Sequence, residues 1–433
     1  MNRCSVLFSL LLFLFFTTPS FVTGQGRTPL PPFIHNSGIV INPKDPSVVY
    51  ASFWMYGVYK STDYGKNWQP INHGFKNASV YNLVMSSHDP NVLLAGTYAG
   101  GIYKTKDGGK NWFEINTGLT RSTIWDLSRD SEDPQVFYAL TSIGLFITKD
   151  AGERWSQLPG GIPGSPPDQQ MTLFAVNSQP PGLFLQNGGE LFRWNARGWS
   201  PPVLTDITFI RSKPFAYDSP KGVFYAGTHR GLLKSTDGGK TWDLLFSGIR
   251  FPNWVVLDPT RPGTLYIGTD GDGVFKSTDG AKTFGPINEG LKGITSHKIF
   301  GLAIDPKNGQ RLYVAAHSIG LFRTEDGGEH WMPPESFPLP DFAEIAAQEK
   351  AAVLESASTS HSLPPPPADL LIHCNRCHGW THPILDNRTD VIWRAAPTPR
   401  DWTATVGRMG RLAGLDDTQK ATILKYLSDH FGP

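Results

Sequence analysis

Six segments of this 433-residue chain repeat one eight-residue pattern, [S/T]-x-D-x-[G/A]-x-x-[W/F]. They begin at Ser61, Thr105, Thr148, Ser235, Ser277 and Thr324, and their aspartates are Asp63, Asp107, Asp150, Asp237, Asp279 and Asp326. Successive aspartates lie 44, 43, 87, 42 and 47 residues apart. A fixed period of this size marks a chain built from like supersecondary units that bury their faces on one another. The 87-residue step is twice the period, so a seventh, degenerate unit is expected near position 194. The stretch from Leu191 through Trp194 to Trp199 supplies it, keeping the aromatic frame and losing the aspartate.

Each unit reads as short strands punctuated by turns. Gly301 to Pro306 is a strand stopped by Asp-Pro, Arg311 to Ala316 a second, alternating one, and Gly320 to Thr324 a third that runs into the repeat pattern and Trp331. The 45 glycines and 36 prolines suit such turns and exclude a helical bundle, whose helix interiors both residues break. Four short strands per repeat of about 40–50 residues is the pattern of a β-propeller blade. Within the pattern the aspartate can accept N–H bonds across its turn, the glycine supplies a positive φ, and the tryptophan packs beneath.

These segments resemble the Asp-box (BNR) propellers: sialidases, sortilin luminal domains, tandem-propeller xyloglucanases and photosystem II assembly factors. The resemblance implies an all-β seven-bladed propeller over residues 33–336, in which each box staples a hairpin and performs no chemistry. Sialidases add an arginine cluster and a Tyr–Glu pair, of which Phe209-Ile210-Arg211-Ser212 is only a faint echo. The xyloglucanases hold their catalytic aspartates between two propellers, and this chain has repeats for one. A glycosidase is therefore not expected. The loops between second and third strands are expected to open opposite the boxes. They read Trp54-Met55-Tyr56, Tyr98-Ala99-Gly100, Thr141-Ser142-Ile143, Thr228-His229-Arg230, Thr269-Asp270-Gly271-Asp272 and His317-Ser318-Ile319. That mixture of aromatic, imidazole and charged groups suits a contact face.

The two ends carry different signals. Arg3 followed by the eleven-residue apolar run Val6 to Phe16 has the layout of a secretory signal peptide over residues 1–24, too short to span a bilayer. The expected mature protein is periplasmic or secreted, without a transmembrane segment. Lys and Arg number 39 against 38 Asp and Glu, and no basic run occurs, so nucleic acid is not an expected partner. Of the three cysteines, Cys4 precedes the apolar run and leaves with it.

The other two form Cys374-Asn375-Arg376-Cys377-His378, the C-x-x-C-H attachment signal for one covalent haem c. Both thiols add to haem vinyl groups, and the adjacent His378 becomes an axial iron ligand. A thioredoxin-like pair needs a βαβ surrounding that is not found here. Zinc completed by His373 and His382, or a plain disulfide, are the other uses of these cysteines. Residues 337–367, with four consecutive prolines at Pro364 to Pro367, read as a stiff linker, and 368–433 as a small all-α domain. Its last helix is expected over Asp416 to Phe431, with Ile423, Leu424, Leu427 and Phe431 on one side.

This region resembles small monohaem cytochrome c domains that serve periplasmic dehydrogenases. In them W-x-x-x-V-x-x-M precedes a final helix with a Tyr-Leu pair, as Trp402, Val406, Met409 and then Tyr426-Leu427 do here. The resemblance implies Met409 as the sixth iron ligand, with His382, His430 and Met332 as competitors. The expected function is one-electron transfer, with the propeller docking redox partner proteins rather than acting as a self-contained enzyme. The alternatives are a quinohaem-type dehydrogenase whose propeller binds substrate, and an assembly scaffold that carries a haem.

Overall fold

Runs of β-branched and aromatic residues, each closed by a glycine, Asp-Pro or Asp-box turn, form all 27 strands of the described residues as antiparallel neighbours within repeat units. The computed structural model describes residues 38–338, apart from short stretches such as 54–55, 165–170, 206–213, 292–296 and 317–319. They belong to one of the chain's two units, Arg27–Pro340; Met1–Gly26 and Asp341–Pro433 make up the other. The expected signal peptide and the region of Cys374, Cys377, His378 and Met409 lie outside the described residues.

Unit one sets the plan: Ile39–Ile41, Val49–Phe53, Gly57–Ser61 and Gln69–Pro70, paired in that order. Units two to six repeat it, starting at Val80–Met85, Ile124–Arg129, Thr172–Val176, Phe215–Asp218 and Pro252–Leu257. Unit seven has three strands, His297–Asp305, Asn308–Ala316 and Gly320–Thr324, and a backbone bridge from Arg323 to Met332 stands where a fourth would be. Units six and seven share a sheet, because Asp270 and Gly271 pair with Lys298 and His297. The first strands of neighbouring units touch, those of units seven and one included, so they form an inner ring. Units four and five meet through Phe174 stacked on Phe215, 4.0 Å between centroids. The result is an all-β propeller with seven units among the described residues, which contain one short 3-10 turn, Ser219–Lys221.

Burial corrects one expectation. The second strands do not alternate: Val49–Phe53 and Leu93–Thr97 are buried at every position. Units stack face to face, so both faces of a middle strand are covered and hydrophobic alternation has no reason to persist. The fourth strands are two to four residues long and mostly exposed, which leaves each unit a short outer edge unsuited to pairing with another chain.

The ring closes through the last residues of the expected propeller and the first of the expected linker. Ser336 pairs with Asn67 and its carbonyl accepts the Trp68 N–H at 3.0 Å, while Glu335 N–H donates to Lys66 O at 2.7 Å. Phe337 is buried against Phe53, Tyr59 and Trp68 of unit one. Phe337, one residue past the expected boundary at 336, thus completes the first unit's core.

Candidate functional site

The six Asp boxes share one geometry. In the first, Ser61 Oγ donates to Asp63 Oδ1 (2.8 Å) and accepts the Gly65 N–H (2.9 Å). Asp63 Oδ1 also accepts the Asn67 N–H (2.9 Å), and Oδ2 accepts the Asn67 amide (2.7 Å). The other five repeat the hydroxyl–carboxylate bond at 2.6–2.9 Å. Two consecutive residues take positive φ in each turn, so even Tyr64, Ala151 and Ala281 are left-handed there. For Asp107, burial pushes the carboxyl up. The bonds from the Asn111 side chain and backbone and from Thr105 outweigh it and hold the group down at about 2. Asp237 is lowered first by the Thr241 N–H and then by its hydroxyl.

The boxes also join units, which the sequence reading missed. The carbonyl just after the box aspartate accepts a cation from the preceding unit. Lys60 reaches Gly108 (3.0 Å), Lys104 reaches Ala151 (2.7 Å), Arg193 reaches Gly238 (3.0 Å) and Lys276 reaches Gly327 (2.9 Å). The indoles of Trp112, Trp155 and Trp331 donate back to Ile71, Ile115 and Ile287 of the preceding units at 2.7–2.9 Å. In the degenerate unit Trp199 does the same to Gly161 (2.9 Å), so it takes the box tryptophan's place without the box. Asp326, Glu329 and His330 gather ligand atoms within 4.8 Å of one another. Here Asp326 is already engaged by Thr324 and by His330 Nδ1 at 2.8 Å, a contact that raises the His330 pKa. The box carboxylates hold turns; none is left as half of an acid–base pair.

Because hairpins run antiparallel, the second-to-third loops open at the opposite end from the boxes, as expected. Four of them are pinned by a buried threonine at or near the end of the second strand. Thr97, Thr141, Thr228 and Thr269 hydroxyls donate to Gly101, Gly144, Gly231 and Gly273 carbonyls at 2.8–3.0 Å. A second latch ties the outer edge to this face. Asn72 Oδ1 accepts the Val58 N–H at 2.7 Å, Asn116 the Ile102 N–H at 2.8 Å and Asn288 the Val274 N–H at 2.8 Å. These asparagines sit four residues after Trp68, Trp112 and Phe284, in the segments Ile-Asn-x-Gly. The glycine two residues on is required: a Cβ on Gly118, at φ +81°, would stand 2.1 Å from Trp155 O.

Of the expected face residues, Ile143 is half exposed, and Tyr98, His229 and Asp270 are partly exposed. Tyr56 is instead buried in the core of unit one. Trp54, Met55, Ala99 and His317 to Ile319 lie outside the described residues, as do residues 209–212. Met332, an expected competitor for iron, belongs to the propeller, its backbone paired with Arg323. No helix among the described residues is long and apolar enough to cross a membrane.

This geometry defines a β-propeller built from BNR-like repeats. The profile of the sortilin/Vps10 family (sortilin, neurotensin receptor 3) matches residues 56–164. No curated protein matches the chain in sequence. Among solved structures, it is similar to an ancestral GH74 enzyme at 16% identity and a TM-score of 0.55, covering 71% of this chain and 47% of that one. It is similar to YCF48 from Cyanidioschyzon merolae at 15% identity and 0.51, covering 69% and 96%. It is also similar to the extracellular domain of the putative hybrid two-component system BT4673 from B. thetaiotaomicron at 13% and 0.54, covering 69% and 39%. This chain thus spans about half or less of the first and third. At these identities the likeness is one of fold.

Proposed function

We propose that the protein is an exported c-type cytochrome that passes single electrons between partner proteins, with the propeller as its docking module. The observation that carries this proposal is the sequence Cys374-Asn375-Arg376-Cys377-His378. Its donor set fits haem c: two thiols at the spacing of two vinyl groups, with an imidazole beside the second for iron. Cys374 and Cys377 would hold the group by thioethers, His378 would bind the iron through a neutral ring nitrogen, and Met409 is the candidate on the other side. A haem held there supplies a one-electron Fe(III)/Fe(II) couple. A thioether at Met409 would favour the reduced metal relative to a second imidazole and close the iron to small molecules.

The propeller's part follows from its bonding. Its box carboxylates are engaged in turns and its units are stapled to one another, which gives a rigid frame for the loops that would meet a partner. Export is supported by the apolar run Val6 to Phe16 and by the fold's likeness to an extracellular domain. A spectroelectrochemical titration of the full-length protein, made in a host that matures c-type cytochromes, tests the proposal. A single reversible one-electron transition of a low-spin haem is expected. A protein matured there without a redox-active chromophore would overturn it.

A further inference from the structure

Units seven and one meet at the one join of the ring that the chain does not run across. That join lacks both kinds of bond that staple the joins on either side of it. Arg323 stands one residue before its box, as Lys60, Lys104 and Lys276 do. Its guanidinium does not reach a carbonyl of unit one but turns to Glu325 at 2.6 Å and Glu335 at 3.7 Å, which follow it in the chain. The Trp68 indole donates to Gly65 of its own box at 3.0 Å, where Trp112 and Trp331 donate to the preceding unit. Units five and six also lack both bonds among the described residues. There, however, the chain itself crosses, from Asp243–Phe246 into Pro252–Leu257.

Buried polar groups are left over at this join. Tyr313 faces Arg323 across the strands as Tyr50 faces Lys60 and Tyr266 faces Lys276. The Tyr50 and Tyr266 hydroxyls donate to Gly108 O (3.2 Å) and Gly309 O (3.4 Å) of the next unit. The Tyr313 hydroxyl is buried and bonds nothing, and so are the Tyr59 hydroxyl and Nε of Arg311 and Arg323. All four flank one join: Tyr59 and Tyr313 share a core with Phe337, and Arg311 stacks over the Tyr64 ring at 3.9 Å. The other such atoms among the described residues, in Ser122, Gln186 and Trp254, fall in three different units. A buried donor without an acceptor forfeits its hydration for nothing, so the closed form of this join is opposed where its neighbours are favoured.

We propose that the ring opens at this join before any other, with residues 335–337 as a clasp that lifts from unit one while the remaining joins stay closed. The clasp is short. It consists of the Glu335 N–H on Lys66 O, the Trp68 N–H on Ser336 O and the Phe337 ring in the core of unit one. Segments of one fold open locally at different free energies, and those with the fewest supporting contacts open first. On opening, the hydroxyls and guanidinium groups that lack partners gain water, which lowers the cost of parting here and at no other join.

Four backbone donors compare the joins directly. The N–H groups of Trp68, Trp112, Trp155 and Trp331 donate to the carbonyls of Ser336, His73, Thr117 and Glu289 at 2.8–3.0 Å, and all four tryptophans are buried. The test is hydrogen exchange of the full-length protein without denaturant, resolved to single residues by fragmentation and corrected for each intrinsic rate. The Trp68 amide should exchange at least about tenfold faster than the other three. A disulfide across the Asn67–Ser336 bridge, from Asn67→Cys with Ser336→Cys, should slow the Trp68 amide into the range of the others, and reduction should restore its rate. The box tolerates the change at Asn67, since the third box carries Arg154 in that place. A Trp68 amide as slow as the other three in the unmodified protein would overturn the proposal. So would fast exchange at Trp68 that the closed disulfide leaves unchanged.

Discussion

Phe337→Ala tests how the propeller closes. Phe337 is 2% exposed, stacks on Tyr59 at 4.4 Å and 17°, and meets Phe53 edge-on at 5.5 Å and 87°. Truncating a buried phenylalanine costs about 3–5 kcal/mol, and each lost ring pair accounts for roughly 0.5–1.5 of that. The seam has further bonds, from Trp68 N–H to Ser336 and from Glu335 N–H to Lys66, which the substitution leaves in place. A loss of about 4 kcal/mol is therefore expected, from side-chain transfer, cavity and ring-pair terms with the backbone seam kept. Urea unfolding followed by tryptophan fluorescence measures it, with Phe113→Ala as control. Phe113 is 62% exposed on an outer strand and should change stability by less than about 0.5 kcal/mol. If Phe337→Ala costs under about 1 kcal/mol, residues 331–337 do not close the ring and Phe337 belongs to the linker after all.

Asn116→Ala removes the acceptor for the Ile102 N–H and should cost about 1–3 kcal/mol by urea unfolding, while Asn111→Ala, which trims only a box, should cost less. Box carboxyls are lowered in the folded state, Asp107 to about 2, so their stabilisation is full above the unfolded pKa near 4 and is lost as pH falls through 2. Thermal melts should be nearly level from pH 7 to about 5 and drop steeply between about 4 and 2, and Asp107→Asn should flatten that drop. Met409→Ala should lower the reduction potential, remove the sulfur-to-iron absorption band of the ferric protein and admit carbon monoxide to the ferrous one. A wild-type ferrous protein that already binds carbon monoxide rapidly would exclude Met409 as a tight ligand.

The boxes were legible because their chemistry is local: Ser61, Asp63 and Gly65 bond within one turn, so type and spacing carry the whole signal. The period alone then located the unit around Trp199, although its box is gone. The Ile-Asn-x-Gly latch was equally regular at Asn72, Asn116 and Asn288, but its partners lie across a hairpin, and an asparagine before a turn looks like ordinary turn chemistry. Lys60, Lys104 and Lys276 carry no sequence signal of their bonds, because their carbonyl partners belong to the next unit. The one-residue slips of the first strands at Tyr81, Trp125, Asn253 and Phe300 are properties of register between strands and were not read from the sequence. Phe337 was assigned to the linker because the repeat ends at Trp331 and a lone aromatic beyond it has no pattern to join. Cys374, Cys377 and His378 were read from the chemistry of their spacing, and Met409 from the resemblance of its region to small monohaem cytochrome c domains.

Covalent haem is the measurement on which the account turns. The full-length protein, matured in a competent host, is denatured, extracted with acid–acetone and stained for haem, and its pyridine haemochrome spectrum is recorded. One haem per chain should remain with the polypeptide, with the spectrum of a group saturated at both vinyl positions, and Cys374→Ala with Cys377→Ala should abolish it. Haem that leaves the wild-type chain on extraction, or none bound at all, would contradict the cytochrome and return Cys374 and Cys377 to zinc or a disulfide.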